Sequence, residues 1–303
     1  ITPAPTVEAG PDQAVCSNNA DIDLNGSVTV ASGGSWSGGL GSFAPNANTL
    51  SATYTPTQTE INAGSVTLTL TTTGIGDCTA VTDSLTITFT PSPTVDAGTN
   101  QTVCANNEEV QLNGNVTVAT GGTWSGGNGT FVPDANTLDA SYTPSADEIT
   151  AGNVTLTLTT TGNGDCLAEE DEMTINITPA PIVNAGPDQF SCANDPEVTI
   201  TGTVTGASGG AWSGGTGSYD PDPNSLSITY TPSVAEIAAG TVTLTLTSTG
   251  NGLCNPESDE VVISIDPSPI VDAGEPQEVC ANNDAVQLDG SVSLAGGGVW
   301  SGG

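Results

Sequence analysis

The sequence predicts an all-β protein made of tandem β-sandwich repeats joined end to end. Three observations carry that prediction: a period of 88 residues that never slips, runs in which apolar residues alternate with Thr, and one pair of cysteines per period. Internal repetition at a fixed step is the first signal to weigh in any chain. Trp36, Trp124, Trp212 and Trp300 each sit in a Gly-Gly-X-Trp-Ser-Gly-Gly string, and each is the same step from the next. Cys16, Cys104, Cys192 and Cys280 keep that step, as do Cys78, Cys166 and Cys254, and Tyr54, Tyr142 and Tyr230. The units fall at 5–92, 93–180 and 181–268; residues 1–4 end a preceding unit or linker, and 269–303 begin a fourth. The chain therefore reads as an internal piece of a longer array.

The second unit shows why each element is expected. Thr94–Gly98 and Gln101–Cys104 are short extended pieces split by a turn. Val110–Asn113 alternates apolar and polar residues, and the alternation continues past Gly114 to Val116 and Val118. Trp124, set between glycines, marks a brief strand, and Ala140–Thr143 marks another. Val154–Thr159 is the clearest strand: Val154, Leu156 and Leu158 face one way and Thr155, Thr157 and Thr159 the other. Met173–Ile177 closes the unit with the same period of two. About seven short alternating strands separated by turn residues is the pattern of a two-sheet sandwich. β-branched Thr on the wet face favours strand geometry without charge. Trp36, Trp124, Trp212 and Trp300 are the expected core aromatics.

One helical turn is expected per unit. Thr57–Glu60, Ser145–Glu148 and Ser233–Glu236 match the capping box, in which a Ser or Thr hydroxyl and a Glu three residues on satisfy each other's backbone N–H groups. Gly64, Gly152 and Gly240 follow where a left-handed C-terminal cap belongs. Capping explains the recurrence of Glu60, Glu148 and Glu236 better than catalysis does. The units join through Thr90–Pro93, Thr178–Pro181 and Asp266–Pro269, which are short, Pro-spaced and hence extended. These linkers argue for a rod, each unit adding about 35–45 Å from a strand rise of ~3.3 Å per residue plus loops.

Composition sets the limits on function. The chain has 34 acidic residues and no Lys, Arg or His, for a net charge of −34. It has no side-chain cation for a phosphate, which argues against nucleic acid and against anionic membrane surfaces. No apolar run approaches the ~20 residues of a membrane-spanning helix. Without His or Lys the usual general bases are missing and a Ser–His–Asp triad is impossible, so no enzyme is expected. The Gly-rich Ser-Gly-Gly-Leu-Gly-Ser-Phe segment lacks the Lys of a phosphate loop and reads as a turn beside the core Trp. Trypsin should leave even the unfolded chain whole.

The seven cysteines follow a fixed scheme, with 62 residues between the two of each full unit. No Cys-X-X-Cys or His completes a zinc site, and nothing basic activates a thiol. Regular pairs read as one disulfide inside each unit: Cys16–Cys78, Cys104–Cys166 and Cys192–Cys254, with Cys280 pairing beyond residue 303. Each such bond restricts the unfolded chain by roughly 4 kcal/mol in the entropic model. Disulfides imply an oxidising compartment, hence secretion or surface display.

The carboxylates suggest one cofactor, Ca²⁺, because hard cations take oxygen ligands. Glu8, Asp96, Asn184 and Asp272 are equivalent, and Asp12, Asn100 and Asp188 follow four residues on, with Pro276 breaking the series. A site built from Glu8 and Asp12, Asp96 and Asn100, or Asn184 and Asp188 would stiffen a junction. Turn formation by Asp and Asn explains the same residues without metal. Asp83, Asp171 and Asp259 are the acidic positions that never vary among the full units.

The strings Ala-Gly-Pro-Asp-Gln before Val-Cys, Trp-Ser-Gly-Gly, Tyr-Thr-Pro and Val-Thr-Leu-Thr-Leu-Thr-Thr-Thr-Gly-Asn-Gly-Asp-Cys resemble the PKD-like, immunoglobulin-like repeats of giant cell-surface proteins in gliding, type-IX-secreting Bacteroidota. The SprB-type gliding adhesins belong to that group. The resemblance spans the whole chain and implies an extracellular, cell-surface filament that serves adhesion or gliding motility. It also implies O-glycans on Asp-Ser/Thr-apolar triplets, which only Asp83-Ser84-Leu85 fits, making Ser84 the candidate. A structural stalk is the leading expectation, with neighbouring repeats of the same chain as its partners. The alternatives are repeats that each grip an extracellular glycan or surface weakly and gain by multivalency, and a subunit that assembles laterally through sheet edges.

Overall fold

A computed structural model describes residues 3–282 and 285–302. In the first repeat the strands are β1 (Thr6–Glu8), β2 (Gln13–Cys16), β3 (Ile22–Asp23), β4 (Ser27–Thr29), β5 (Gly33–Ser37), β6 (Ser42–Ala44), β7 (Thr53–Thr55), β8 (Ser65–Thr73) and β9 (Thr82–Thr90), with one helix, α1 (Gln58–Ala63), between β7 and β8. They form a two-stranded ribbon β1–β4, a four-stranded sheet in the order β2–β9–β8–β5, and a three-stranded sheet β3–β7–β6. The third repeat has the same three groupings. The all-β expectation holds. The short strand at Thr130–Val132 in the second repeat had no alternating signal long enough to announce it.

The core lies between the four-stranded and three-stranded sheets. Trp36 stands directly opposite Leu70, Leu68 opposite Leu85, and Val66 opposite Ile87. These meet Ile22 and Tyr54 from the other sheet. The third repeat repeats the cluster with Trp212, Leu244, Leu246, Val261 and Ile263 against Val198, Ile228 and Tyr230. Each fully buried aliphatic side chain contributes roughly 1.5–3 kcal/mol of transfer free energy. Trp36, Trp124 and Trp212 are buried as expected, but Trp300 is 53 % exposed. Trp36 packs over the position of Gly26 with Leu70 and the Leu50 carbonyl. Trp300 keeps the glycine (Gly290), but among the described residues from 269 on only the ribbon Ile270–Asp272 with Ser291–Ser293 forms, and no sheet covers the indole.

All three capping boxes form. Thr57, Ser145 and Ser233 accept from the backbone of Glu60, Glu148 and Glu236, which bond back, and Gly64, Gly152 and Gly240 close the helices at positive φ. Each helix has six residues.

By its internal contacts the chain divides into two compact units, residues Ile1–Thr102 with Glu108–Ile177, and Val103–Asn107 with Thr178–Gly303. The first contains the whole of the first repeat; the second contains the third repeat together with the Cys104 segment.

After β4 the backbone turns through Val30 at φ 64°, and Val118 holds the same place at φ 66° in the second repeat. The third repeat has Gly206 there, at φ 77°. A β-branched residue in the left-handed region carries a cost of about 1–2 kcal/mol that glycine avoids, against about 0.5–1 kcal/mol of extra glycine entropy. Val118 is 56 % exposed and loses little packing on truncation. Val118→Gly is therefore expected to raise stability, by up to ~1 kcal/mol, measurable as a higher urea midpoint with an unchanged slope.

Candidate functional site: the junction between repeats

The disulfides do not close within repeats. Cys16 is bonded to Cys166 and Cys104 to Cys254, each pair 150 residues apart in sequence. Cys78, Cys192 and Cys280 are free thiols. The expected Cys16–Cys78, Cys104–Cys166 and Cys192–Cys254 pairs are corrected by strand direction. β2 runs parallel to β9, so Cys16 stands level with Thr90 at the far end of β9. Cys78 lies in the turn that precedes Thr82, where β9 begins. A nine-residue strand spans about 27 Å, whereas a disulfide holds its Cα atoms within ~7 Å. The observed pairs have Cα atoms 5.0 and 4.9 Å apart.

Each disulfide is flanked by the same pair of asparagines. Asn18 pairs with the peptide unit of Leu167: its Oδ1 accepts from Leu167 N at 3.1 Å and its Nδ2 donates to Leu167 O at 3.2 Å. That Nδ2 also reaches Glu169 Oε1 at 2.7 Å, and Asn19 Nδ2 donates to Asp165 O at 3.0 Å. Around the second disulfide Asn106 repeats the pattern on Asn255 N and O, at 3.0 and 3.1 Å, and on Glu257 Oε1 at 2.7 Å. Asn107 Nδ2 donates to Leu253 O at 3.1 Å. The side-chain amide mimics a strand's donor–acceptor pair and does so without charge. In a chain that has no Lys, Arg or His, an amide supplies the two donors that reach a carboxylate and a carbonyl together.

A second constellation recurs inside each repeat and was only half legible. Tyr142 Oη donates to both carboxylate oxygens of Glu148 at 2.9 Å. Glu148 also accepts from Asn128 N at 2.8 Å, from Ser145 N at 2.7 Å and from Ser145 Oγ at 2.9 Å. Gly129 N donates to Tyr142 Oη at 2.9 Å. Tyr54–Glu60 and Tyr230–Glu236 are built alike. The Gly-rich turn thus closes over the Tyr–Glu pair rather than beside the Trp: a Cβ on Gly127 would run into Tyr142 Oη. Burial alone would raise the Glu60 pKa, but hydrogen bonds from Tyr54 Oη and from the Thr57 and Leu40 backbone outweigh it and bring it down to about 2. Glu148 and Glu236 are lowered for the same reasons. Burial, with the facing carboxylate, pushes Tyr54, Tyr142 and Tyr230 up to about 12. Both groups are sealed in the fold, so they brace the helix against the sheet and present no reactive face.

The acidic positions singled out for calcium carry backbone. Asp12, Asn100 and Asp188 accept from Thr86 N, Thr174 N and Val262 N at 2.8–2.9 Å. Asp96, Asn184 and Asp272 accept from the glycine two residues on, at 2.8 Å. Glu8 lies in β1 opposite Ser27. Asp83, Asp171 and Asp259 hold the buried N–H of Ala9, Ala97 and Ala185 at 2.7–2.8 Å, which accounts for their fixed identity. Among the described residues no group of three or more Asp, Glu, Cys or His side chains is placed to hold a metal ion. Ser84 is exposed in mid-strand, its hydroxyl 3.0 Å from Thr69 Oγ1.

No protein-family model matches the chain, and no curated protein matches it in sequence. Among solved structures it is similar to domains I67–I69 of the titin I-band, at 13% identity and TM-score 0.42, over 88% of this chain and 100% of that one. Mouse cadherin-23 EC22-24 follows at 12% identity and TM-score 0.36, over 88% and 99%. The extracellular cadherin domains 3-6 of protocadherin gamma B2 are similar at 13% identity and TM-score 0.34, over 90% and 76%. At such scores the architecture rests on the chain's own sheets and register.

Proposed function

We propose that this chain is a structural repeat segment of an extracellular filament or adhesin stalk, one that sets reach and stiffness while recognition lies elsewhere. The observation that carries this reading is the repetition of one junction: two successive repeats are tied to their neighbours by the same disulfide and the same asparagine clamp. The disulfides fit an oxidising, extracellular setting, and among the described residues no helix is long and apolar enough to cross a membrane. The most perturbed ionisable groups are committed to holding backbone, which fits a non-enzymatic role. Surface display on a gliding bacterium follows from the resemblance of the repeat strings, as does O-glycosylation at Ser84. Multivalent glycan binding would need an exposed aromatic in every repeat. Phe190 is 77 % exposed, but the equivalent positions are Ala14 and Thr102.

Small-angle X-ray scattering of the 303-residue protein, with calcium and with EDTA, tests this. A compact globule of this length has a radius of gyration of about 19 Å. The spacer reading requires a larger value and a maximum dimension above ~100 Å, unchanged by EDTA because disulfide and amide contacts close the junctions. A compact particle would refute the stalk, and lengthening in calcium alone would restore a metal to the junction.

A further inference from the structure

The two disulfides interleave. In chain order the bonded cysteines run Cys16, Cys104, Cys166, Cys254, and the bonds join the first to the third and the second to the fourth. A force applied across the chain at Cys16 therefore crosses the first disulfide to Cys166 and continues toward Cys192. That path contains the 26 residues from Cys166 to Cys192, whereas the backbone from Cys16 to Cys192 contains 176. The second bond does the same from Cys104: across to Cys254, then 26 residues to Cys280 in place of 176. Because the bonds interleave, one line of tension uses one of them: from Cys16 to Cys280 it crosses either bond and contains 114 residues in place of 264. Crossing the first bond removes all of β3 to β9 and, in the second repeat, the Trp124, Tyr142 and Leu156 strands.

We infer that the interleaved disulfides form an extension limiter, a covalent bypass that lets a line of tension cross from one repeat to the next without paying out the 150 residues its disulfide spans. The junction geometry supports it, because the asparagine clamps hold both ends of each bypass in register next to the sulfurs. The limiter depends only on which cysteines are bonded. It would operate whether the array is a passive spacer or carries ligand sites of its own, so the stalk reading, tested by scattering, can fail without the limiter failing.

Single-molecule force spectroscopy on the full chain decides it. Handles are attached through click-reactive residues placed at exposed Ala14 and Asn194, which bracket the first disulfide and belong to neither clamp. With a backbone reach of ~3.5 Å per residue, the observed pairing gives a fully unfolded extension of about 105 Å, rising about sixfold to ~630 Å after reduction by a phosphine. Pairing within repeats would give about 200 Å before reduction and overturn the inference. An oxidised extension of ~630 Å would also overturn it, by showing that the bonds are absent. Because the limit is set by covalent connectivity, a variant's loss of folding does not blur the reading. Cys166→Ser should release most of the restraint, whereas Cys78→Ser should leave the 105 Å limit in place.

Discussion

Glu148→Ala is expected to destabilise the second repeat by about 3–5 kcal/mol, enough to unfold it in a domain whose total stability is of order 5–15 kcal/mol. The carboxylate collects four donors: Asn128 N, Tyr142 Oη, Ser145 N and Ser145 Oγ. Its removal leaves the buried hydroxyl of Tyr142, which is 0 % exposed, and two backbone N–H groups without partners, at about 1–3 kcal/mol each before water enters. Tyr142→Phe removes one donor and keeps the cap, so its effect should be smaller, about 1–2 kcal/mol. Urea unfolding followed by Trp fluorescence would measure both. The same hub gives stability a defined pH dependence. Glu60 falls from an ordinary 4.5 in the unfolded chain to about 2 in the fold. Its contribution is therefore present above pH 4.5 and lost as pH falls toward 2, in total roughly 3 kcal/mol. The tyrosines rise from 10 to about 12. Theirs is present below pH 10 and lost as pH climbs through 12. Stability from the Tyr–Glu pairs should thus be flat from about pH 5 to pH 9 and decline outside it, with Glu148→Gln flattening the acid side. An acid limb of equal slope in that variant would refute the assignment.

What could be read in the sequence was what repeats within one element. Val154–Thr159 alternates strictly and is the middle of a nine-residue strand. Thr57, Ser145 and Ser233 announce their helices because capping is a contact over three residues. Partnerships between distant elements were not legible. Tyr54 and Glu60 are both fixed at the 88-residue step, yet nothing local shows that the hydroxyl meets the carboxylate. The asparagines after Cys16 and Cys104 were in plain view as Cys-Ser-Asn-Asn and Cys-Ala-Asn-Asn. Nothing local marks them as a clamp, because their partners lie about 150 positions away. The pairing of cysteines failed for a further reason. In a perfect repeat, a bond from each first cysteine to the second cysteine of its own unit has the same regularity as a bond to that of the next unit. Spacing alone cannot choose between separations of 62 and 150; only the parallel direction of β2 against β9 does.

That choice has a consequence in the mutants. Cys166→Ser should lower the stability of the oxidised protein by as much as ~5 kcal/mol, the entropic value for opening a loop of 150 residues. Cys78→Ser should change it by less than about 0.5 kcal/mol, the usual range for a replacement that breaks no bond and no core contact. Pairing within repeats predicts losses of equal size at Cys78 and Cys166, because each replacement would then break a disulfide spanning 62 positions. Thiol titration under denaturing conditions separates the two further: three free thiols are expected in the parent chain, four in Cys166→Ser and two in Cys78→Ser. Peptide mapping must avoid trypsin, which finds no Lys or Arg; cleavage at the acidic residues should release Cys16 joined to Cys166 and Cys104 joined to Cys254. The stability difference also bears on assembly. A first cysteine whose partner lies in the following repeat stays reduced until that repeat is in place, so each junction closes only when both of its sandwiches are present. Loss of Cys166 should therefore be felt in both neighbours at once: the unfolding transitions of the first and second repeats, coincident in the oxidised parent, should separate in Cys166→Ser.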